Sequence, residues 1–270
     1  MIFEDLVIDR VIDGVFRDKN YKVLGGLNQI QNLSISTTSE TKDKTDSTGV
    51  LIKRFFTSKA VELSAENAIF SLSLTGLQTG NGKVNATSAD KIVLPMIKKY
   101  KVSDSPITLP ATPIGETVEG TFIPNLSVTG LKATGVPDAS LAYTMGAQAG
   151  VGTYAYNNTT NALTLPSDAT DYVQVMFYYE SETGSKVMQS ADKFPAECEL
   201  TLSVLVCDAC DKEVLRHAYI VFPAFQMSPD FDITLDTDSP HPFSGTAAVN
   251  YCSDDKEMFY IAISEDDTDE

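Results

Sequence analysis

Four cysteines, two histidines and one run of alternating aspartates hold most of the reactive potential in this chain. Cys207 and Cys210 stand in Cys-Asp-Ala-Cys, the two-residue gap of a zinc knuckle, and Cys198 and Cys252 could complete a four-thiolate site. Against zinc, the other two cysteines form no second C-x-x-C, and the pair falls at a turn between two strand-like runs. A redox role needs the motif at a helix N-terminus, and this one begins a turn. Free thiols, zinc and a disulfide all remain open for the four, with free thiols the default in a reducing cytosol. His217 lies in a strand-like run and His241 in Ser-Pro-His-Pro, neither with a catalytic partner beside it. The chain has no G-x-S-x-G, no P-loop and no G-x-G-x-x-G between a strand and a helix. Asp230, Asp232, Asp236 and Asp238, in DFDITLDTD, invite a calcium reading. The mid-loop glycine and terminal glutamate of a calcium loop are missing, and alternation with Phe231, Ile233 and Leu235 fits a strand with one acidic face. The expectation is no catalytic site, no metal and no cofactor: a chain that is not an enzyme.

The elements that would position these residues are mainly strands. Leu33 to Ser39 alternates and reads as a strand. SETKDKTDSTG, residues 39 to 49, has no apolar residue and reads as a long polar loop or hairpin tip, with VLIKRFF returning as a strand. The best helix runs from 64 to 76: Ser64 as N-cap, Glu66 in the first turn, Ala65, Ala68, Ile69 and Leu72 on one face, and Gly76 and Gly80 as the stop. Beyond Lys83 short strands and turn signals alternate to the end. Tyr172 to Tyr179 is the most β-prone run, and therefore expected inside a sheet. The expected fold is mainly β, an antiparallel barrel or sandwich with one flanking helix, forming a single domain over 1–264. Residues 265–270 read as an acidic disordered tail.

Charge narrows the partners. The 270 residues carry 20 Lys and Arg against 37 Asp and Glu, a net −17. From Asp208 to Glu270 there are 15 acids against Lys212, Arg216 and Lys256, so that segment alone holds −12. Such a polyanion is poorly suited to gripping nucleic acid or an anionic membrane. No apolar run approaches the roughly 18 residues of a membrane span. MIFEDLVIDRVIDGVF bears acids early and no basic stretch before an apolar one, unlike a secretory signal, so a soluble, cytosolically made chain is expected.

Taken together, these features resemble the phage major tail, or tail tube, proteins. The resemblance lies in the order strand, polar loop, strand, helix from Leu33 to Gly80 (LSISTTSETKDKTDSTGVLIKRFF, then SAENAIFSLSLTGLQTG). It continues in the central hairpins (GTYAYNNTTNALTLPSDATDYVQVMFYYES) and the closing strands from His217 to Ser264. Residues 110 to 150 match least. The resemblance implies six copies in a ring, rings stacked into a tube, and DNA passing through without specific binding. It implies contacts with other tail proteins, no membrane, residence in the virion tail and assembly in the host cytoplasm. The family's polar loop reaches a neighbouring ring or subunit; here that is Ser39 to Gly49, with Ser39, Glu40, Lys42, Asp43, Lys44, Asp46 and Gly49 as the assembly residues. Some of Asp230, Asp232, Asp236 and Asp238 are expected to face the channel. Competing readings are a capsid decoration or tail-terminator subunit and a carbohydrate-binding β-sandwich. The absence of tryptophan weighs against the last.

Overall fold

A computed structural model describes residues 5–209, 214–237, 239–249 and 256–268. The chain divides into two compact units, Met1–Lys83 with Val187–Glu270, and Val84–Lys186, where the sequence suggests one domain. In chain order the first unit begins with β1 (Leu6–Arg17), β2 (Val23–Leu27), β3 (Ile30–Thr45), β4 (Leu51–Asn67) and helix α1 (Leu72–Thr79). Next come β5 (Lys83–Asn85), β6 (Ile92–Lys101), β7 (Ile107–Thr108), β8 (Gly115–Val118), β9 (Thr121–Pro124), β10 (Leu126–Leu131) and β11 (Pro137–Met145). Then follow β12 (Thr153–Asn157), β13 (Ala162–Thr164), β14 (Tyr172–Ser181) and β15 (Ser185–Val187), the last pairing with β5. The first unit resumes with β16 (Glu197–Asp208), β17 (Leu215–Met227), β18 (His241–Ala247) and β19 (Tyr260–Thr268). The fold is mainly β with one short α-helix, as its composition predicts.

In the first unit one sheet runs β2-β1-β16-β17-β18-β4-β3, and β19 also pairs with β17. Its strand pairs are antiparallel. Period two places Leu200 and Leu202 of β16 and Phe222 of β17 on one face, where they pack with Phe16, Phe225, Leu63, Leu74 and Phe243. Each large side chain so buried contributes about 1.5–3 kcal/mol. Val204, Val206 and Ala218 form a smaller cluster with Val11, Ile220 and Ile263. From Leu202 to Cys207 β16 is buried on both faces, Ser203, Leu205 and Cys207 pointing away from that cluster.

The second unit is a sheet in the order β6-β14-β10-β11-β12-β13-β7. Its pairs are antiparallel apart from β11 and β12. β14 is bonded on both edges, and its Val173, Val175 and Phe177 alternate into the core. Tyr154 donates its hydroxyl to the Leu126 carbonyl at 2.8 Å, which satisfies the one polar atom its burial would otherwise strand.

Four expectations are corrected. The helix spans Leu72–Thr79 rather than 64–76. Residues 64–67 finish β4, bonded to β18 on one side and β3 on the other. Ser71, not Ser64, is the N-cap, its hydroxyl accepting from Leu74 N–H. Of the two stop glycines, Gly80 is the C-cap at φ +71°, where a Cβ would overlap the Phe194 carbonyl, and Gly76 lies inside the helix. The polar run 39–49 is strand to Thr45, paired along its length with β4. Residues 230–237 do not form the expected strand. Both edges of the neighbouring β4 are taken by β3 and β18, so the alternating pattern cannot pair there. Finally, β19 runs on to Thr268, opposite Arg216, where disorder was expected from 265; the free edge of β17 beyond its pairing with β18 outweighs the local charge. Asp269 and Glu270 lie outside the described residues.

Candidate functional site

The site-bearing element is the β3–β4 hairpin, because its two halves have opposite environments. At its base, Val61, Leu63 and Ala65 are buried and Ile35 is half-buried. From Ser36 in β3 and Ala60 in β4 outward, every residue to the tip is exposed. The nine residues Thr37–Thr45 carry this ribbon about 30 Å beyond its base at strand rise. A two-stranded ribbon wet on both faces is marginal alone, so local chemistry must hold it.

That chemistry is visible residue by residue. At the turn, the Asp46 carboxylate accepts from Thr48 N–H at 2.9 Å, the Thr48 hydroxyl at 2.8 Å and Val50 N–H at 2.9 Å. These bonds, the Thr48 hydroxyl foremost, hold its pKa below the ordinary carboxylate value. Gly49 takes the left-handed φ of +85° that closes the turn. Lower down, Arg54 grips Asp43 directly across the ladder through two bonds of 2.8 and 2.9 Å. Its hydrogen bond, and then its charge, lower the Asp43 pKa. The hairpin thus brings together Ser39, Glu40, Lys42, Asp43, Lys44, Asp46 and Gly49, all read from the sequence as one polar segment.

Sequence reasoning missed the apolar half. Phe56 is 75 % exposed, and Val50, Leu51, Ile52 and Phe55 are exposed beside it. The signal was present in VLIKRFF, which places apolar residues on both faces, whereas a half-buried strand would alternate. Register assigns the faces. Lys42 and Lys44 of β3 share one face with Lys53 and Phe55 of β4; Asp43, Arg54, Thr41 and Phe56 share the other.

The expected channel acids lie elsewhere. Asp230, Asp232 and Asp236 are exposed on the irregular segment before β18, so period-two spacing no longer aligns them; Asp238 lies outside the described residues. Asp230 and Asp232 line a cavity of about 640 Å³ with Glu66 of β4 and Asn32 of β3, whose amide donates to Glu66 at 2.7 Å.

Both histidines and the two described cysteines lie in strands of the first unit's sheet. His241 is buried, its Nε2 2.9 Å from the Gln78 amide oxygen of α1. His217 Nδ1 lies 3.1 Å from the Ser203 hydroxyl across the β16–β17 ladder. Cys198 is buried and donates to the Phe225 carbonyl at 3.5 Å; burial pushes its thiol up to about 11. Cys207 is buried in β16, while Cys210 and Cys252 lie outside the described residues. Among the described residues, no three Asp, Glu, His or Cys are grouped to hold a metal ion, and no helix is long and apolar enough to cross a membrane.

A comparison with curated proteins found no match. A scan against protein families matched the tube proteins over residues 6–261, from the start of β1 into β19 and including the projecting hairpin. With nearly the whole described fold inside that match, the chain belongs to the YomU/Tube protein family.

Proposed function

We propose that this chain is the structural subunit of a phage tail tube: copies close into rings, six to a ring, and the rings stack into a channel through which DNA passes. The observation that carries the reading is the ribbon from Ser36 to Ala60, exposed on both faces and rich in uncovered apolar side chains, in a chain of the tube family. Ordered apolar surface held away from a core gains nothing for a monomer, and burial against a second copy recovers it. A head-to-tail contact of this kind propagates along an axis, while a different heterologous contact closes each ring. The net charge of −17 suits a conduit that must let a polyanion slide, and the exposed Asp230, Asp232 and Asp236 are candidates for its wall. Other tail proteins are its further partners, the virion tail is its site, and it assembles in the host cytoplasm. No catalysis and no cofactor are part of this role. Negative-stain microscopy of the purified protein tests it: tubes or six-fold rings are expected, and isolated globules at every concentration and salt would refute it.

A further inference from the structure

We infer that the tip of the hairpin docks, through its lysine-bearing face, into the acidic cleft at the hairpin base of a second copy of this chain. The inference rests on the tube reading and names the surface that receives the hairpin.

The first observation is an electrostatic mismatch within the tip. Lys44 and Lys53 are directly opposed across the ladder, and Lys42 follows on the same face. Like charges directly opposite destabilise a two-stranded pair. Among the described residues no carboxylate makes an ion pair with any of the three, although Asp43 on the other face is fully engaged by Arg54. Lys53 instead leans over the Phe55 ring at 5.1 Å. The tip is also out of character with the chain: from Ser39 to Lys59 five bases stand against three acids, a net +2 on a protein of −17. Glu40 stands on the same face two residues from Lys42 but makes no ion pair with the lysines, so the face stays net basic and calls for an acidic surface to meet it.

The second observation is a cleft of the required sign. Glu66, Asp230 and Asp232 line the cavity of about 640 Å³, together with Phe231, and among the described residues no Lys, Arg or His lines it. The acids suit the lysines and Phe231 suits Phe55. The chain cannot close this contact on itself, because Glu66 and Lys53 are thirteen residues apart on one extended strand, about 40 Å. Tip and cleft at opposite ends of one strand make a heterologous pair: each copy offers a tip and receives one, so the contact passes from copy to copy.

The test exchanges the charges. Lys42→Glu with Lys44→Glu and Lys53→Glu forms the tip variant, and Asp230→Lys with Asp232→Lys the cleft variant. All five side chains are exposed, so each variant should melt as the wild type does. Either variant alone is expected to raise the concentration needed for tube formation about tenfold or more, and the two combined in one chain to restore it. Independently, carbodiimide coupling of wild-type tubes assembled from mixed ¹⁴N and ¹⁵N chains is expected to join Lys42, Lys44 or Lys53 of one copy to Glu66, Asp230 or Asp232 of another. Wild-type tubes that lack such links, with charge variants assembling as readily as the wild type, overturn this contact alone. A wild-type chain that never assembles overturns the tube role as well.

Discussion

His241 and Gln78 lock α1 onto β18: the ring Nε2 meets the Gln78 amide oxygen at 2.9 Å, and the Gln78 amide nitrogen donates to the Pro242 carbonyl at 2.9 Å. Both side chains are 2 % exposed. Ser71 N–H donates to His241 Nδ1 at 3.4 Å, which assigns the ring proton to Nε2 and makes the neutral imidazole the form the fold requires. Phe70 stacks on the ring at 5.0 Å and closes the environment further.

Protonation of His241 therefore opposes folding. Burial lowers its pKa below the ordinary 6.5, so below that pH the unfolded chain takes up a proton that the fold refuses. This contribution to stability is complete above pH 6.5 and falls as the pH drops, at no more than about 1.4 kcal/mol per pH unit. A His241→Asn variant is expected to lose about 1–3 kcal/mol at pH 7.5, where Gln78 is left underbonded. Its loss on acidification should also be smaller than that of the wild type. Thermal melts of both proteins between pH 7.5 and 5 check this, and parallel pH profiles would count against it.

Cys198 should be inert in the fold. With its thiol at about 11, about one molecule in a thousand is thiolate at pH 8, and the sulfur is buried as well. Iodoacetamide labelling at pH 8 followed by peptide mass spectrometry is expected to leave Cys198 unmodified in native protein and to label it fully in guanidinium. Labelling at equal rates in both conditions would show that the thiol is not buried.

Shortening the hairpin should separate stability from assembly. Thr38 and Ala60 are cross-strand partners, so replacing residues 39–59 by Asn-Gly rejoins the ladder through a favoured two-residue turn. The removed part covers no core residue, and the melting temperature is expected to stay within about 4 °C of the wild type. Tubes should not form. Tubes of normal length from the shortened chain would remove the hairpin from the assembly contact.

Substitutions in the buried face should cost far more than any in the tip. Phe222→Ala empties the centre of the first unit's core and is expected to cost about 3–5 kcal/mol in denaturant unfolding. Gly80→Ala adds left-handed strain and a clash with the Phe194 carbonyl, for a loss above about 1 kcal/mol. Gly49→Ala carries a similar φ penalty but meets no atom within 4 Å, so its effect should stay at the tip. Amide exchange is expected to quicken at residues 46–50 while the global transition is unchanged.

What the sequence determined by itself is local: β class from period-two runs and β-branched composition, the interior position of β14 from its hydrophobicity, the hairpin order around residues 33–56, and a surplus of negative charge. Each of these depends on neighbours within a few residues, and the tube family could be read from their order. What the tertiary structure decided depends on which edges were free. Ser64 and Ser71 are both sound N-caps, and only the pairing of β4 with β3 and β18 consigned Ser64 to a strand and left Ser71 to start the helix. Residues 230–237 alternate like a strand and form none, since alternation makes a strand only where the segment meets an unpaired edge, and β4 beside them has none. β17 did have one, and it turned an acidic stretch through Thr268 into β19. The same accounting separates the projecting ribbon from the core: residues 39–45 read as loop because they lack apolar side chains, yet backbone bonding to β4, an Asp43–Arg54 clasp and the Asp46 turn suffice to extend the strand. Hydrogen-bond partners distant in sequence fix these outcomes.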